Sequence, residues 1–165
     1  MLKLINNPKA LNFAQLMEVY QEDNRENGAR CFPEEPEMRQ LELAEEGFRQ
    51  YLWEDFFQTP GAFYALWEEE GRCVSALRLE PYRDGLLLEA LSTHPAQRRK
   101  GYAAKLVQGV QTLPKVEKIY SHVAKGNVAS QALHKRCGFR LAADYAAYID
   151  GSVNRRAMTL CWEKV

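Results

Sequence analysis

The stretch Leu91-Ser-Thr-His-Pro-Ala-Gln-Arg-Arg-Lys-Gly-Tyr-Ala-Ala-Lys-Leu106 sets three cations, Arg98, Arg99 and Lys100, directly before Gly101. The apolar run ahead of it reads as a strand, and residues 101–112 read as a helix. A helix N-terminus presents unpaired N–H groups and the positive end of its dipole. Gly101 lets an anion approach the backbone closely, and Ala103 is small enough to keep that approach open. The arrangement suits a phosphate or pyrophosphate. Taken alone, the charges also fit a solvated basic turn. The loop lacks the first glycine of Gly-x-Gly-x-x-Gly, and no Gly-Lys-Ser/Thr occurs in the chain.

Other reactive side chains are sparse. Cys31, Cys73, Cys137 and Cys161 form no Cys-x-x-Cys pair, so reduced, partly buried thiols are expected. His94, His122 and His134 do not have zinc-ligand spacing, and no metal is expected. His94 precedes Pro95 and reads as a turn residue; His122 lies in a strand pattern and reads as a packed core histidine.

The elements that must position these groups follow from periodicity. Residues 2–5 are a short strand, and a helix runs from Asn7-Pro8 to about Glu22, with Phe13, Leu16, Met17 and Tyr20 on one face. Residues 21–36 are polar and acidic and read as a loop. A second amphipathic helix covers 37–57, through Leu41, Ala44, Phe48 and Leu52. Strands follow at 62–67, 73–79 and 86–93, then the helix from Gly101, a strand at 116–123 and a helix at 127–136. Strands at 140–149 and 153–162 close the chain around Asp150-Gly151-Ser152, a hairpin signal. The order β-α-α-β-β-β-α-β-α-β-β predicts one α/β domain, a twisted mixed sheet of about seven strands with helices on both faces.

The 165 residues carry 22 basic and 22 acidic side chains, so nothing favours a nucleic acid through bulk charge. No apolar run approaches the roughly 18 residues of a membrane span, and Asn and Pro interrupt the first eight residues before a signal core forms. A cytoplasmic protein without a membrane or nucleic-acid partner is the expectation, either a monomer or a homodimer.

Arg98-Arg-Lys-Gly101-Tyr-Ala103 resembles the acetyl-CoA signature Arg/Gln-x-x-Gly-x-Gly/Ala of the GNAT acetyltransferase superfamily, position for position. A second stretch, Asn127-Val-Ala-Ser-Gln-Ala-Leu-His-Lys-Arg-Cys-Gly-Phe139, resembles the family's later Asn and its Tyr-x-x-x-Gly-Phe helix end. Asn127, Ser130, Gly138 and Phe139 match, and His134 stands where the family often has Tyr. The likeness covers 62–162 in element order.

The resemblance implies a single N-acetyltransferase domain in which residues 1–61 shape the acceptor site and 62–165 bind acetyl-CoA. It implies direct acetyl transfer, in a ternary complex, to a primary amine of a small molecule or peptide. The backbone at Leu91, Ser92 and Thr93 would hold the thioester arm and polarise its carbonyl. Arg98, Arg99, Lys100, Gly101, Tyr102 and Ala103 would cradle the pyrophosphate, and Asn127 and Ser130 would contact pantetheine or adenosine.

An alkyl amine of pKa near 10.4 costs roughly 4–5 kcal/mol to deprotonate at neutral pH, so a base is required. Glu89, alternating with Leu87 and Leu91, is the candidate; its other reading is a carboxylate paired with Arg or Lys. His134, in the place of Tyr, would protonate the leaving thiolate as imidazolium and touch CoA; its other reading is packing. Glu22, Asp23, Glu26, Glu34, Glu35 and Glu37 read as a solvated acidic rim, and Tyr20, Phe32 and Tyr82 as possible acceptor-pocket walls. Two further readings are a module that holds acetyl-CoA without turnover and an enzyme acting on protein lysines or N-termini.

Overall fold

The computed structural model describes all of residues 1–165. The chain runs β1 (Leu2–Ile5), α1 (Phe13–Val19), α2 (Gln21–Cys31), α3 (Glu37–Glu54), β2 (Phe63–Glu69), β3 (Arg72–Tyr82), β4 (Gly85–Thr93), α4 (Tyr102–Gln111), β5 (Lys118–Ala124), α5 (Val128–Arg136), β6 (Arg140–Ala143), β7 (Ala146–Ala147), β8 (Val153–Asn154) and β9 (Ala157–Glu163). Seven strands form one sheet in the order β1-β2-β3-β4-β5-β9-β6. Only β4 and β5 are parallel, which requires the crossover that α4 supplies.

The sheet is apolar on both faces because helices cover both. Leu77, Leu79 and Leu88 pack with Leu106, Val107 and Val110 of α4 on one side. On the other, Tyr64 and Ala76 pack with Leu16, Val19 and Tyr20 at α1 and with Leu52 and Phe56 at the end of α3. Each element thus presents its periodic apolar stripe to the sheet, as the sequence pattern requires.

Three expectations are corrected. The polar segment after Tyr20 is not a loop at its start: α2 spans Gln21–Cys31. Its residues are mostly tolerable helix formers, and tertiary packing against α3 overrides the missing apolar stripe. Gly28 makes that packing possible, since a Cβ there would lie 2.5 Å from the Gln40 carbonyl oxygen. Asn7-Pro8 does open helical geometry, but only a 3-10 turn over Pro8–Ala10; the α-helix starts later, with Asn12 accepting from the Gln15 N–H. The closing strands are interrupted. β6 and β9 pair in the main sheet, while β7 and β8 form a two-stranded ribbon at their tip, closed at Asp150 whose Oδ1 accepts from the Ser152 N–H.

Gly28→Ala tests the α2–α3 contact. The substitution gains about 1 kcal/mol of helix propensity but drives a methyl into backbone, a defect of roughly 1–3 kcal/mol. The clash is expected to win, lowering Tm by a few degrees in a thermal melt; an unchanged or raised Tm contradicts the close approach.

Candidate functional site

The site begins with an irregularity in β4. Ala76 pairs with Ser92 and Arg78 with Glu89, so Leu77 alone opposes the two residues Ala90 and Leu91. This is a β-bulge, and its first residue, Ala90, has φ of 50°. The Tyr20 hydroxyl donates to the Ala90 carbonyl at 2.5 Å and holds the bulge from α1's end. Beyond it β4 returns to β3: Ser75 pairs with Thr93, and the Ser75 hydroxyl donates to the Ser92 carbonyl at 2.8 Å.

On its other edge β4 leaves β5. Parallel pairing covers only Leu86–Ile119, Leu87–Tyr120 and Leu88–Ser121, and nothing after Leu88 pairs with β5. The strands therefore splay, and a cleft of about 620 Å³ opens between Leu91, Ser92 and Thr93 on one side and α5 on the other. Asn127 and Ser130 line it, with Arg98 and Arg136 at its charged part. Asn127 is also the cap of α5, its Oδ1 accepting from the Ser130 N–H at 3.0 Å. Arg136, Ala129, Ala132 and Leu133 were not singled out from sequence; the i, i+3, i+4, i+7 spacing from Ala129 was the available signal.

The basic loop ends at the N-terminus of α4. Arg99 (φ 65°) and Gly101 (φ 81°) are both left-handed, and Gly101 heads the helix with no side-chain cap. The first bond of the helix joins the Lys105 N–H to the Gly101 carbonyl, which leaves the amides of Tyr102, Ala103 and Ala104 without helical partners. Arg98 is ion-paired with Glu22 at 2.6 Å, and Lys100 donates to Gln97 at 2.8 Å. Lys100 and Tyr102 face a different cavity, shared with His94 and Arg72, so the loop's residues are not all brought to the cleft.

A second cavity, about 510 Å³, lies on the α1–α3 face of the sheet. Tyr20, Phe48 and Tyr51 wall it, and Asp23, Asn24, Asn27 and Arg78 supply its polar groups. Leu91 lines both this cavity and the cleft, so the two meet at the bulge. Of the three aromatic residues considered for such a pocket, Tyr20 lines it. Phe32 is exposed at the end of α2, and Tyr82 packs with Leu87 and Tyr120. Only Asp23 of the acidic rim reaches the cavity. Asp23 is one of the rim residues read as solvated surface, because it lay in an assumed loop; Arg78 was missed, lying in a strand with no distinguishing pattern.

Glu89 immediately precedes the bulge, opposite Arg78 on β3, with Arg78 Nε 3.6 Å from its Oε2. Burial pushes its carboxyl above the usual range, and the guanidinium opposes that. Oε2 is buried and has no hydrogen-bond partner. Burial likewise raises Asp23, with Glu26 adding and Arg98 opposing. The oxygen that faces Arg78 is thus Oε2 itself, at a distance too long for a hydrogen bond, which is the arginine-paired arrangement of the two readings of Glu89.

His134 is placed differently from the sequence expectation. It is 2% exposed and lies behind the vertex of the splay, edge-on to Phe139. Nδ1 is 2.8 Å from the Ser130 carbonyl and must donate to it; Nε2 is 2.8 Å from the Ser121 hydroxyl and accepts. Burial holds its pKa below the usual histidine value, with the Ser130 carbonyl opposing. The neutral ring has its proton on the side away from Ser121, so the imidazolium acid expected from sequence is not what this geometry provides. His94 caps the turn after β4 through Nδ1, as a turn residue would. His122 packs edge-on against Tyr82 and Tyr148. No group of three or more His, Cys, Asp or Glu side chains is placed to hold a metal, and no helix is long and apolar enough to cross a membrane.

Comparison with known proteins agrees with this architecture. The model of the acetyltransferase (GNAT) family matches residues 13–139, and the chain belongs to that family. Solved structures show the same fold at low identity. An IAA acetyltransferase from Bacillus cereus ATCC 14579 is 16% identical, covering 99% of both chains with a TM-score of 0.63. The PaiA N-acetyltransferase from Thermoplasma acidophilum in complex with coenzyme A is 11% identical, covering 99% of both chains at 0.63. A spermidine N-acetyltransferase chimera from Vibrio cholerae and hSSAT is 16% identical, covering 98% of this chain and 95% of its own at 0.58. No curated protein matches the sequence.

Replacing His134 separates packing from catalysis. His134→Phe strands the Ser130 carbonyl and the Ser121 hydroxyl, and a loss of roughly 1–3 kcal/mol in urea unfolding is expected. Turnover at saturating substrates should change by less than about tenfold, below the usual worth of a general acid. A larger loss of turnover with unchanged stability restores the acid role.

Proposed function

We propose that the chain transfers an acetyl group from acetyl-CoA to the primary amine of a small molecule or peptide, directly and in a ternary complex. One observation carries this reading: two cavities of different chemistry meet at Leu91, where β4 bulges and leaves β5. Residues 62–165 supply the cofactor side and residues 1–61 most of the acceptor side.

The residues present fit the cofactor. A pyrophosphate needs amide donors and cations, and the uncapped start of α4 offers the first with Arg98 and Arg136 beside the cleft. An extended amide-bearing arm needs an unpaired strand edge, and β4 beyond Leu88 has one. Bound acetyl-CoA supplies an acyl group already activated as a thioester. The backbone of Leu91, Ser92 and Thr93 holds the arm, and Asn127 and Ser130 border it. An N–H of this free edge is the donor available to a carbonyl oxygen.

Glu89 is the base. Its pairing with Arg78 through the buried Oε2 favours the ionised form, and Oε1, which has no protein partner, is the oxygen left to take a proton from the amine, directly or through water. As the C–N bond forms the C–S bond breaks and CoA leaves as its thiolate, to be protonated from solvent; the ammonium loses two protons in all, one to Glu89 and one to solvent, and the amide keeps its third. An amine entering past Asp23 and Asn27 reaches Leu91 from the face opposite α5.

Two measurements test the reading. Acetyl-CoA should raise Tm by mass action. Gly101→Val should abolish the shift while the protein still folds: a Cβ at Gly101 meets nothing within 4 Å, so the cost is the left-handed φ alone, on the order of 1–3 kcal/mol. A full shift in that variant removes the pyrophosphate assignment.

Glu89→Gln should lower acetyl transfer by roughly 10²-fold or more with acetyl-CoA affinity nearly intact. The base works deprotonated, so activity should fall as pH drops through the Glu89 pKa. Because burial raises that pKa, the limb should lie above the ordinary carboxylate value of about 4.3, and Gln should remove it. A variant with full turnover and an unchanged limb makes Glu89 purely a partner of Arg78.

A further inference from the structure

Arg78 is an unusual wall for a pocket that receives a cationic amine. Its Cζ lies 4.9 Å from the Tyr51 ring centroid, 5.8 Å from Phe56 and 5.9 Å from Phe48. Aromatic faces on these sides exclude water from the charge and fix the plane of the guanidinium. Its Nε is buried without a hydrogen-bond partner, and its one ion-pair contact, Glu89, is at 3.6 Å. The side chain is nevertheless 17% exposed and lines the second cavity. A desolvated guanidinium whose fork is not hydrogen-bonded within the protein is set up for an anion arriving through that cavity.

The charges around it define the ligand further. Arg78 lines the cavity, and its cross-strand partner Glu89 stands directly beside it, so a positive and a negative group are adjacent at the cavity's edge. Asp23 adds a carboxylate on the α2 wall, and Tyr20, Phe48 and Tyr51 add apolar surface. A diamine fits this pattern poorly, since a second ammonium would approach the guanidinium. An ammonium and a carboxylate on one carbon match it, with the first toward Glu89 and the second on Arg78.

We propose that the acceptor is an α-amino acid or a close aminocarboxylate with an apolar body, its carboxylate gripped by Arg78 while its amine faces Glu89 and the cleft. The inference rests on the acetyl-transfer reading of the site and names the substrate class for it.

The test uses the whole protein with acetyl-CoA and follows thiol release. Leucine, methionine, phenylalanine and tryptophan are each compared with the matching amide and decarboxylated amine, with spermidine alongside. At least one free acid should exceed its amide and amine in kcat/KM by roughly 10- to 100-fold, although the amide's amine is the easier to deprotonate. Arg78→Met should collapse that ratio toward one, and Arg78→Lys should keep part of it. The ratio is the readout because disturbance of Glu89 affects both members of a pair and cancels. An acetyl-CoA-dependent Tm shift in each variant shows that it is folded with its cofactor site intact. Equal or better use of amides, amines or spermidine by the unaltered protein overturns the proposal while transfer stands, and so does a ratio that survives Arg78→Met. If no amine releases thiol, calorimetry on the CoA-saturated protein decides. Amino-acid binding weakened at least about tenfold by Arg78→Met supports the aminocarboxylate site although transfer fails, and absence of aminocarboxylate binding overturns it.

Discussion

The site depends on one constraint: β4 must stay bonded to β3 along its whole length while abandoning β5 after Leu88. A regular strand does not easily do both, because pairing on one edge keeps the other edge in register with its neighbour. The extra residue at Ala90–Leu91 resolves the conflict by raising the local twist. Ala90 takes a left-handed φ that alanine rarely adopts, a cost on the order of 1–3 kcal/mol. The surroundings fix it: the Tyr20 hydroxyl holds its carbonyl, and the Ser75–Thr93 and Ala76–Ser92 pairs resume at once. Strain at this point opens the cleft on one face and exposes Leu91 to the cavity on the other.

The same geometry sets the electrostatics. Glu89 is the last residue of β4 before the bulge, and cross-strand pairing puts it beside Arg78. Burial disfavours the charged carboxylate, and the guanidinium beside it favours that form; burial is the larger effect, so the carboxyl lies above the ordinary carboxylate range. Glu80, two residues along β3 from Arg78, is also raised by burial, with Glu89 adding to it and Arg78 opposing, so one guanidinium serves two carboxylates.

Much of this was legible from sequence, for identifiable reasons. The basic loop before α4 stands out because glycine, a small residue and cations sit together at a helix start. Glu89 was found because a carboxylate in an apolar strand is conspicuous. What stayed hidden was long-range or depended on tertiary packing. α2 has no apolar stripe, and its helix exists because Gly28 lets it lie against Gln40 of α3; once it was read as a loop, Asp23, Asn24 and Asn27 had no common face. The bulge leaves no mark in Leu-Glu-Ala-Leu-Ser-Thr, whose alternation continues across it. His134 sits in the frame of a family tyrosine, but a shorter ring with two polar nitrogens finds partners at Ser130 and Ser121 inside the protein.

The two halves of the site are also joined by an ion pair. Arg98, in the basic loop before α4, is ion-paired with Glu22 of α2, the helix that carries Asp23 and Asn27 to the second cavity. Both side chains are about half exposed, so the pair itself is worth little, on the order of 0–1 kcal/mol. A pyrophosphate in the cleft offers Arg98 charge-assisted hydrogen bonds, stronger than a solvated pair. Recruiting Arg98 to the phosphates therefore costs little, yet it releases Glu22 and removes the opposing charge that lowers the Asp23 carboxyl. With acetyl-CoA bound as proposed, the withdrawal of Arg98 and the charge of the phosphates both make the field at the second cavity more negative, which favours a cationic amine head and couples the two cavities through one shared arginine.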